Sequence, residues 1–380
     1  MTGASDEIQP FLIDIPQHDL DDLHERLART RWISDMPEMA WDYGVPGSYV
    51  RELAQYWQTG YDWRAAEAQL NAFPQFITSI DGQRVHFLHI RSAEPDAIPL
   101  ILSHGWPGTV LEYTDVIAPL TDPRAAGSDP ALAFDLVIPS MPGFGFSGPT
   151  HETGWDCQRI ARAWAVLMER LGYQSYGAAG NDWGGVVTQL LSSAAPHRLL
   201  GMHVTQLLAF PGETEDPAAM PADEQAALAD LSTWQETKAC YYNLQSQQPH
   251  TLAHALADSP AGLLGWFSQI LGPELDRDFV LTNVMIHWLT GTVASAMRLY
   301  YEAAHNELAD DGPVDVPLAV AQFHELFRGF RRCATEFRAI HSWNTYDLPG
   351  HYAAHQYPEV FVADLRQFFA GVRAVSGSRR

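Results

Sequence analysis

Short apolar runs alternate with longer amphipathic stretches along most of this 380-residue chain. The runs RVHFLHIR (84–91), PLILSH (99–104) and FDLVIP (134–139) are each bounded by Gly, Pro or Asp, which is typical of buried strands. Such alternation predicts an α/β fold with a mainly parallel sheet flanked by helices. Further strands are predicted at 175–181, 199–208, 316–323 and 337–344.

The strand pattern starts late and is interrupted once. The first 75 residues have apolar positions at helical spacing and predict helices and loops without strands. The interruption is rich in Ala, Leu and Gln, and a helical insertion between two strands is expected to cover the carboxyl edge of the sheet. The amphipathic segment 360–375 predicts a closing helix. The predicted organisation has four parts. They are a helical N-terminal segment (1–75), a first part of an α/β core (76–210), a helical cap or lid (211–312) and a second part of the core (313–380).

Charge and cysteine content narrow the range of partners and compartments. The chain has 46 acidic and 23 basic residues, a net charge of −23, which repels nucleic acid and anionic membrane surfaces. Cys157, Cys240 and Cys333 are far apart and predict neither a disulfide framework nor a zinc site. The N-terminus lacks a basic and apolar leader, and no run reaches the ~18 apolar residues of a membrane span. We therefore expect a soluble cytoplasmic protein with no nucleic-acid and no membrane partner.

The segment SYGAAGNDWGG (175–185) carries the clearest chemical signal. A strand of small residues meets a G-x-D-x-G turn that runs into a helix-like stretch, which places Asp182 at the nucleophile position of a strand-to-helix elbow. Gly180 and Gly184 provide the small residues that such a tight turn needs. An aspartate that caps an ordinary helix beside turn glycines is the alternative interpretation.

The motif HGWPG (104–108) directly follows an apolar strand. A loop in this place can donate a backbone N–H to an oxyanion hole, together with the residue that follows the nucleophile. Those two donors would be Trp106 and Trp183. An ordinary Gly/Pro turn is the alternative.

Four motifs, in this order, resemble those of the microsomal-type epoxide hydrolases of the α/β-hydrolase superfamily, which carry an epoxide hydrolase N-terminal domain. They are HGWPG (104–108), SMPGFGFSG (140–148), GNDWGG (180–185) and GHYAAHQYPE (350–359). The resemblance spans nearly the whole chain. It implies an α/β-hydrolase fold with a cap, a small-molecule epoxide and water as reactants, and a vicinal diol as product. Oligomeric state stays open, with a homodimer as one option.

The resemblance also implies a base and its carboxylate partner. His351 matches the histidine of the family's G-H-[FY]-A-A motif. Glu325 comes just after a predicted strand, at the carboxyl edge of the sheet, and matches the position of the family's acid. Glu336, expected on an exposed helix face, and Asp347, expected in the loop before His351, are the competing candidates.

Two cap tyrosines complete the implied site. Tyr241 and Tyr300 match the family's proton donors to the leaving oxygen, and each has a neighbour, Tyr242 or Tyr301, that a shift of one residue would select instead. A dehalogenase of the same superfamily is the closest rival, and it would need indole donors instead of phenols. The cap tryptophans that could donate an indole N–H to a halide are Trp234, Trp266 and Trp288. A pocket-binding protein without catalytic activity is the other alternative.

No cofactor and no metal are predicted. The segment GFGFSG (143–148) fits G-x-G-x-x-G, but Pro149 and the next residues continue a loop where a dinucleotide site requires a helix. His351 and His355 have helical spacing, yet the chain has no H-E-x-x-H pattern. We interpret 143–148 as a glycine-rich loop beside the nucleophile.

The residue type at the elbow predicts the reaction. A serine that attacked an epoxide carbon would form an ether, which water does not readily cleave. An aspartate forms an ester whose carbonyl belongs to the enzyme, so that activated water can attack this carbonyl and release the diol. Asp182 therefore favours alkyl transfer over acyl transfer.

Overall fold

The computed structural model describes residues 6–36, 40–207, 209–210, 216–306, 314–324 and 327–377, with the backbone alone at 314, 335–338 and 375–377. Within these residues a nine-stranded sheet has the order β1-β2-β3-β5-β4-β6-β7-β8-β9. The strands β1 to β3 pair antiparallel, β3 is antiparallel to β5, and the strands from β5 to β9 are parallel, which confirms the predicted mainly parallel sheet. The strands β1 to β9 are Gln9–Pro10, Gln75–Ile80, Gln83–Ile90, Ile98–Ser103, Phe134–Pro139, Tyr176–Gly180, Leu199–Val204, Val314–His324 and Arg338–Pro349.

Helices cover both faces of the sheet. The helices α1 to α8 are Gln17–Ala28, Gly47–Thr59, Trp63–Asn71, Thr114–Thr121, Cys157–Arg170, Asp182–Ala194, Ala222–Thr237 and Cys240–Gln247. The helices α9 to α15 are Pro249–Asp258, Pro260–Phe267, Arg277–Thr290, Val293–His305, Arg331–Phe337, Ala353–Gln356 and Pro358–Gly377.

The central strands are apolar on both sides, which is why helices pack on both. In β4, Leu100 and Leu102 point into the cluster formed with α4 and α15, while Ile101 between them points into the cluster formed with α5. Side chains alternate across a strand, so a strand that is apolar from Ile98 to Leu102 must be covered on both faces. This layering leaves the carboxyl ends of the parallel strands as the edge where loops and the cap meet.

In the described part of the segment between β7 and β8, where the cap is predicted, there are six α-helices, α7 to α12. From Phe279 to His287 every residue of α11 is buried, including the polar residues Thr282, Asn283 and His287. The N-terminal helices pack against it, since the Trp57 Nε1–H on α2 donates to Met285 Sδ at 3.1 Å. Among the described residues no single helix has the length and hydropathy of a membrane span, although α11 and α12 meet that test as a pair bent by 94°. The domain boundaries drawn from the sequence stay predictions.

Two sequence predictions are wrong in detail. The N-terminal segment is not all helical, because β1 pairs with β2, which begins at Gln75 and was not predicted. A two-residue strand has no periodicity, and its register with Ile77 depends on a partner far away in the chain. Asp347 lies within β9 and not in a loop, since β9 continues to Pro349 beside β8.

Candidate active site

Asp182 occupies a strained backbone turn between β6 and α6. Its φ of +51° lies in the left-handed region that non-glycine residues rarely adopt. Gly184 makes the turn possible, because a Cβ at this position would lie 1.9 Å from the backbone oxygen of Ser103. The geometry is that of an elbow that presents the aspartate above the carboxyl edge of the sheet.

The loop after β4 directs a backbone donor at this carboxylate. Trp106 N–H donates to Asp182 Oδ1 at 2.8 Å, and the backbone N–H of Trp183 also bonds to Asp182. The approach requires a glycine, because a Cβ on Gly105 would lie 2.3 Å from Asp182 Oδ1. Trp106 and Trp183, the two donors predicted from sequence, thus converge on one carboxylate.

The electrostatics of Asp182 combine opposing effects. Complete burial raises the pKa of its carboxyl above the ordinary value. The positive charge that His351 can carry and the two backbone N–H groups lower the pKa, without cancelling the effect of burial.

His104, the first residue of HGWPG, holds the loop in place. Its Nδ1–H donates to the backbone oxygen of Gly105 at 2.9 Å, and its Nε2 accepts the N–H of Met141 at 3.1 Å. Burial lowers the pKa of His104 to about 4, so the imidazole is neutral and this one tautomer satisfies both bonds. The sequence interpretation missed this role, although a histidine directly after a buried strand is a usable signal.

The two predicted cap tyrosines lie beside Trp106 in the loop HGWPG (104–108). Tyr241 stacks on Trp106 with ring centroids 5.3 Å apart, and the Tyr300 ring meets Trp183 edge-on at 4.9 Å. Both are nearly inaccessible, with 4% and 2% of their surface exposed. Burial raises the pKa of Tyr300 well above 10, so its phenol keeps its proton.

The neighbouring tyrosines have different surroundings. Tyr301 is 39% exposed and stacks on His305, away from Asp182. Tyr242 is 36% exposed, yet it contacts the same cavity and lies 5.6 Å from Tyr300 between ring centroids. The geometry therefore favours Tyr300 over Tyr301, because only Tyr300 lines the cavity. Tyr241 and Tyr242 both line it, and Tyr241 is favoured mainly by its burial.

His351 lies between β9 and α14, on a segment anchored to the elbow. The side chain of Asn181, directly before Asp182, donates from Nδ2 to the backbone oxygen of His351. Thr205 Oγ1–H in turn donates to Asn181 Oδ1 at 2.8 Å. Asn181 is a further positioning residue that sequence analysis missed, and its place beside the elbow aspartate is the only local signal for it.

The predicted acid Glu325 lies outside the described residues, directly after the end of β8 at His324. Glu336 belongs to α13, but its side chain is likewise outside the described part of the chain. Asp347 is described, and its side chain is 99% exposed, 3.5 Å from His324. The choice of Glu325 stays a prediction.

A cavity of about 690 Å³ opens in front of Asp182. Of the three predicted indole donors, Trp234 lines it, whereas the Trp266 Nε1–H donates to Gln245 at 3.0 Å and the Trp288 ring faces Arg26. The glycine-rich loop 143–148 packs on the cap, where the Ser295 hydroxyl donates to the Gly143 oxygen. The lining is mainly apolar, with a few amides and phenols: Cys157, Asp182, Trp183, Val186, Gln189, Leu190, Gln206, Phe210, Leu228, Leu231, Trp234, Gln235, Tyr241, Tyr242, Tyr300, Ala303 and Phe327.

The sheet order, the elbow and the helices inserted after β7 define an α/β-hydrolase fold. Two family descriptions match the chain, "Epoxide hydrolase N terminus" over residues 8–113 and "alpha/beta hydrolase fold" over residues 98–251. The chain is 42% identical to the "Putative epoxide hydrolase" of Stigmatella aurantiaca (strain DW4/3-1), over 97% of this chain and 86% of that protein.

Similarity extends to animal proteins. Epoxide hydrolase 1 of Sus scrofa is 29% identical over 96% of this chain and 89% of its own length. The solved structure of juvenile hormone epoxide hydrolase from the silkworm Bombyx mori superposes with a TM-score of 0.89 at 26% identity, covering 98% of this chain and 96% of that one. The chain belongs to the epoxide hydrolase family, whose members are hydrolases that act on ether bonds.

Proposed function

We propose that this epoxide hydrolase works through an ester between Asp182 and the substrate. The observation that carries the proposal is the bond from the backbone N–H of Trp106 to Asp182 Oδ1, with the phenols of Tyr241 and Tyr300 packed around the Trp106 ring. These contacts support the proposal, because they bring a carboxylate, a backbone N–H group and two phenols together.

In the first half-reaction the second carboxylate oxygen, Asp182 Oδ2, attacks an epoxide carbon. The C–O bond to that carbon breaks, and the departing alkoxide takes a proton from Tyr300 or Tyr241. A phenol with an ordinary pKa of about 10 is acidic enough for an alkoxide and still protonated at neutral pH. Burial and, second to it, the charge of Asp182 raise the pKa of Tyr300, and the second of these effects weakens as negative charge leaves Asp182.

In the second half-reaction water attacks the Asp182 ester carbonyl while His351 removes a proton from the water and Glu325 orients His351. Oδ1 becomes the oxyanion of the tetrahedral intermediate, and it already accepts the Trp106 N–H bond in the free enzyme. Donors preorganised in this way stabilise the charge that develops in the transition state. The ester C–O bond then breaks, and the departing diol oxygen takes the proton that His351 had accepted. The proton of the new Asp182 carboxyl returns to the tyrosinate left by the first half-reaction, which regenerates both groups.

Isotopic water tests the ester directly. In a single turnover in heavy-oxygen water, the label should enter the Asp182 carboxylate and leave the diol light. Label that appears only in the diol would indicate direct attack by water and would refute the proposal.

A trapping experiment tests His351. His351→Gln should still be alkylated but should hydrolyse the ester slowly, so the intact mass should rise by one substrate equivalent. Asp182→Asn is the matched control that should remain unmodified. Glu325→Gln should slow ester hydrolysis less, because the imidazole remains, and wild-type kinetics in this variant would make Glu336 the next acid to test.

Substrate choice separates epoxide opening from dehalogenation. Styrene oxide should be converted to its diol, whereas a haloalkane of similar size should release no chloride. Halide chemistry needs indole or amide N–H donors at the leaving group. Trp234 and the amides of Gln189, Gln206 and Gln235 line the cavity as well as the phenols, so the measurement and not the lining separates the two reactions. Chloride release at a rate comparable to diol formation would overturn the assignment.

A further inference from the structure

His355 lies between two carboxylates. Its Nδ1 is 2.7 Å from Asp115 Oδ2, and its Nε2 is 2.9 Å from Asp276 Oδ2. Its ring stacks on Phe279 with centroids 3.8 Å apart and an interplanar angle of 12°. Both ring nitrogens therefore have defined partners, and the ring plane is fixed as well.

These contacts join three parts of the molecule. Asp115 lies on the core helix α4, and Asp276 is the N-cap of the cap helix α11, where its other oxygen accepts the Phe279 N–H at 2.8 Å. His355 itself lies on α14, four residues after His351. The contacts thus tie the segment that carries the proposed base to the core and to the cap.

The arrangement requires a charged imidazole. Each nitrogen faces a carboxylate oxygen, and only imidazolium can donate from both nitrogens at once. Burial lowers the pKa of His355, but the bonds to Asp115 and Asp276 outweigh this effect and raise the pKa to about 9. Above that pH one nitrogen would present a lone pair to a carboxylate.

The other charged groups on the elements around α14 have different partners or positions. The guanidinium of Arg277 lies 3.7 Å from the Tyr56 ring centroid, and Asp278 accepts the Tyr56 hydroxyl. Glu359 on α15 is exposed, and Glu112 is buried on the turn Val110–Tyr113. Among the described residues, Asp115 and Asp276 are thus the carboxylates in hydrogen-bond contact with His355.

We propose that His355 is a positioning residue that holds His351 ready for ester hydrolysis by tying α14 to α4 and α11. The proposal rests on the ester mechanism proposed above. A purely structural ion pair would contribute to stability alone and would leave the ratio of the two half-reaction rates unchanged. Of the proposed catalytic groups, His351 is next to one of the three helices joined at His355, whereas Asp182 and the two tyrosines lie on other helices.

Stopped-flow single turnovers test this by separating alkylation from ester hydrolysis across pH. In the wild type, ester hydrolysis should slow as pH rises through about 9. In His355→Gln it should be about tenfold slower at neutral pH, and the decline near pH 9 should disappear. Alkylation should stay within about twofold, because a shift in the ratio of the two rates is what defines a positioning role.

Asp276→Asn is the second variant, and it tests the positioning role of His355 if His355→Gln does not fold. Asparagine can still cap α11, so this change removes one charge while the cap bond remains. The decline in ester hydrolysis should move to lower pH. Arg26→Gln is the matched control, because Arg26 also bridges two carboxylates, Asp22 at 2.7 Å and Asp258 at 2.9 Å, away from α14. Both of its rates should match the wild type.

Two results would overturn the proposal. One is a His355→Gln enzyme, or an Asp276→Asn enzyme, with wild-type hydrolysis rates and an unchanged pH profile. The other is an equal slowing of both half-reactions. Failure of the ester mechanism would be visible separately, as the absence of any covalent adduct on Asp182 in the wild-type enzyme.

Discussion

The elbow in the core and the tyrosine cluster in the cap meet at the same cavity, yet different contacts hold them in place. At the elbow, backbone atoms touch backbone atoms, and a Cβ on Gly184 would approach the Ser103 oxygen to 1.9 Å. In the cap, Tyr241 and Tyr300 are held by ring contacts with Trp106 at 5.3 and 5.5 Å between centroids. The core half therefore has no spare space, whereas the cap half consists of side chains that can repack.

This difference suits the chemistry proposed for each half. A tetrahedral intermediate needs its oxyanion donors at fixed distances, and rigid backbone packing provides them. An epoxide must enter and a diol must leave, which favours a wall of side chains. We expect changes in the core to have all-or-none effects and changes in the cap to have graded ones.

Of the changes predicted to destabilise the protein, acid should lower the free energy of unfolding the most, because it acts on buried histidines in both the core and the cap. Burial lowers the pKa of His86 and His287 to about 3 and of His104 to about 4, so all three are neutral in the folded state. The unfolded chain takes up protons near pH 6.5, so the free energy of unfolding should fall as pH drops from about 6.5 towards about 4. Each histidine should contribute about 1.4 kcal/mol per pH unit.

Urea unfolding at several pH values measures this slope. His18→Gln, a change at an exposed histidine, should leave the slope unchanged. A free energy of unfolding that does not depend on pH over this range would contradict the neutral state of the three buried histidines.

A pair of glycine variants contrasts the two halves most sharply. Gly184→Ala should cost about 4 kcal/mol or more, because the clash is with backbone. It should abolish diol formation and lower the yield of folded protein. Gly265→Ala in α10 of the cap is the matched control: the nearest atom is Val50 Cγ2 at 3.6 Å, an ordinary contact. This alanine should be neutral or stabilise the enzyme by about 0.5–1 kcal/mol, as measured by thermal unfolding and by activity.

The tyrosines should give graded effects. Tyr300→Phe removes one proton donor, and loss of a comparable transition-state donor costs roughly 2.7 to 4 kcal/mol. With Tyr241 still present we expect a smaller loss, confined to the alkylation rate, while the double variant should accumulate no ester. Tyr301→Phe is the control and should retain wild-type alkylation. A defect in Tyr301→Phe or Tyr242→Phe instead would shift the register by one residue.

The smallest loss of stability is expected from removing a single hydrogen bond between the core and the cap. The Thr109 hydroxyl, directly after the loop HGWPG (104–108), donates to Asn283 Oδ1 on the cap helix α11 at 2.8 Å, and both residues are buried. Thr109→Val should lower the free energy of unfolding by about 1–2 kcal/mol, because Asn283 Oδ1 and the Leu111 N–H lose their partner. Thr233→Val, at an exposed residue that bonds only within its own helix, should change stability far less in the same denaturation experiment.

The sequence alone predicted the parallel strands, the elbow and the loop HGWPG, because each has a local pattern. Both faces of β4 are covered because its residues from Ile98 to Leu102 are apolar, and the small residues on either side of Asp182 are typical of a tight strand-to-helix turn. These features are written into short segments such as 99–104 and 175–185.

Only the tertiary structure decided which side chains meet across long separations. The pairing of β1 with β2, the burial of Tyr300 but not Tyr301, and the two carboxylates around His355 depend on elements far apart in the chain. Asp115 lies 240 positions from its histidine, and no period or motif relates two such residues. Their approach follows from how α4, α11 and α14 pack at the carboxyl edge of the sheet, because the free energy of that packing belongs to the whole fold and not to any one segment.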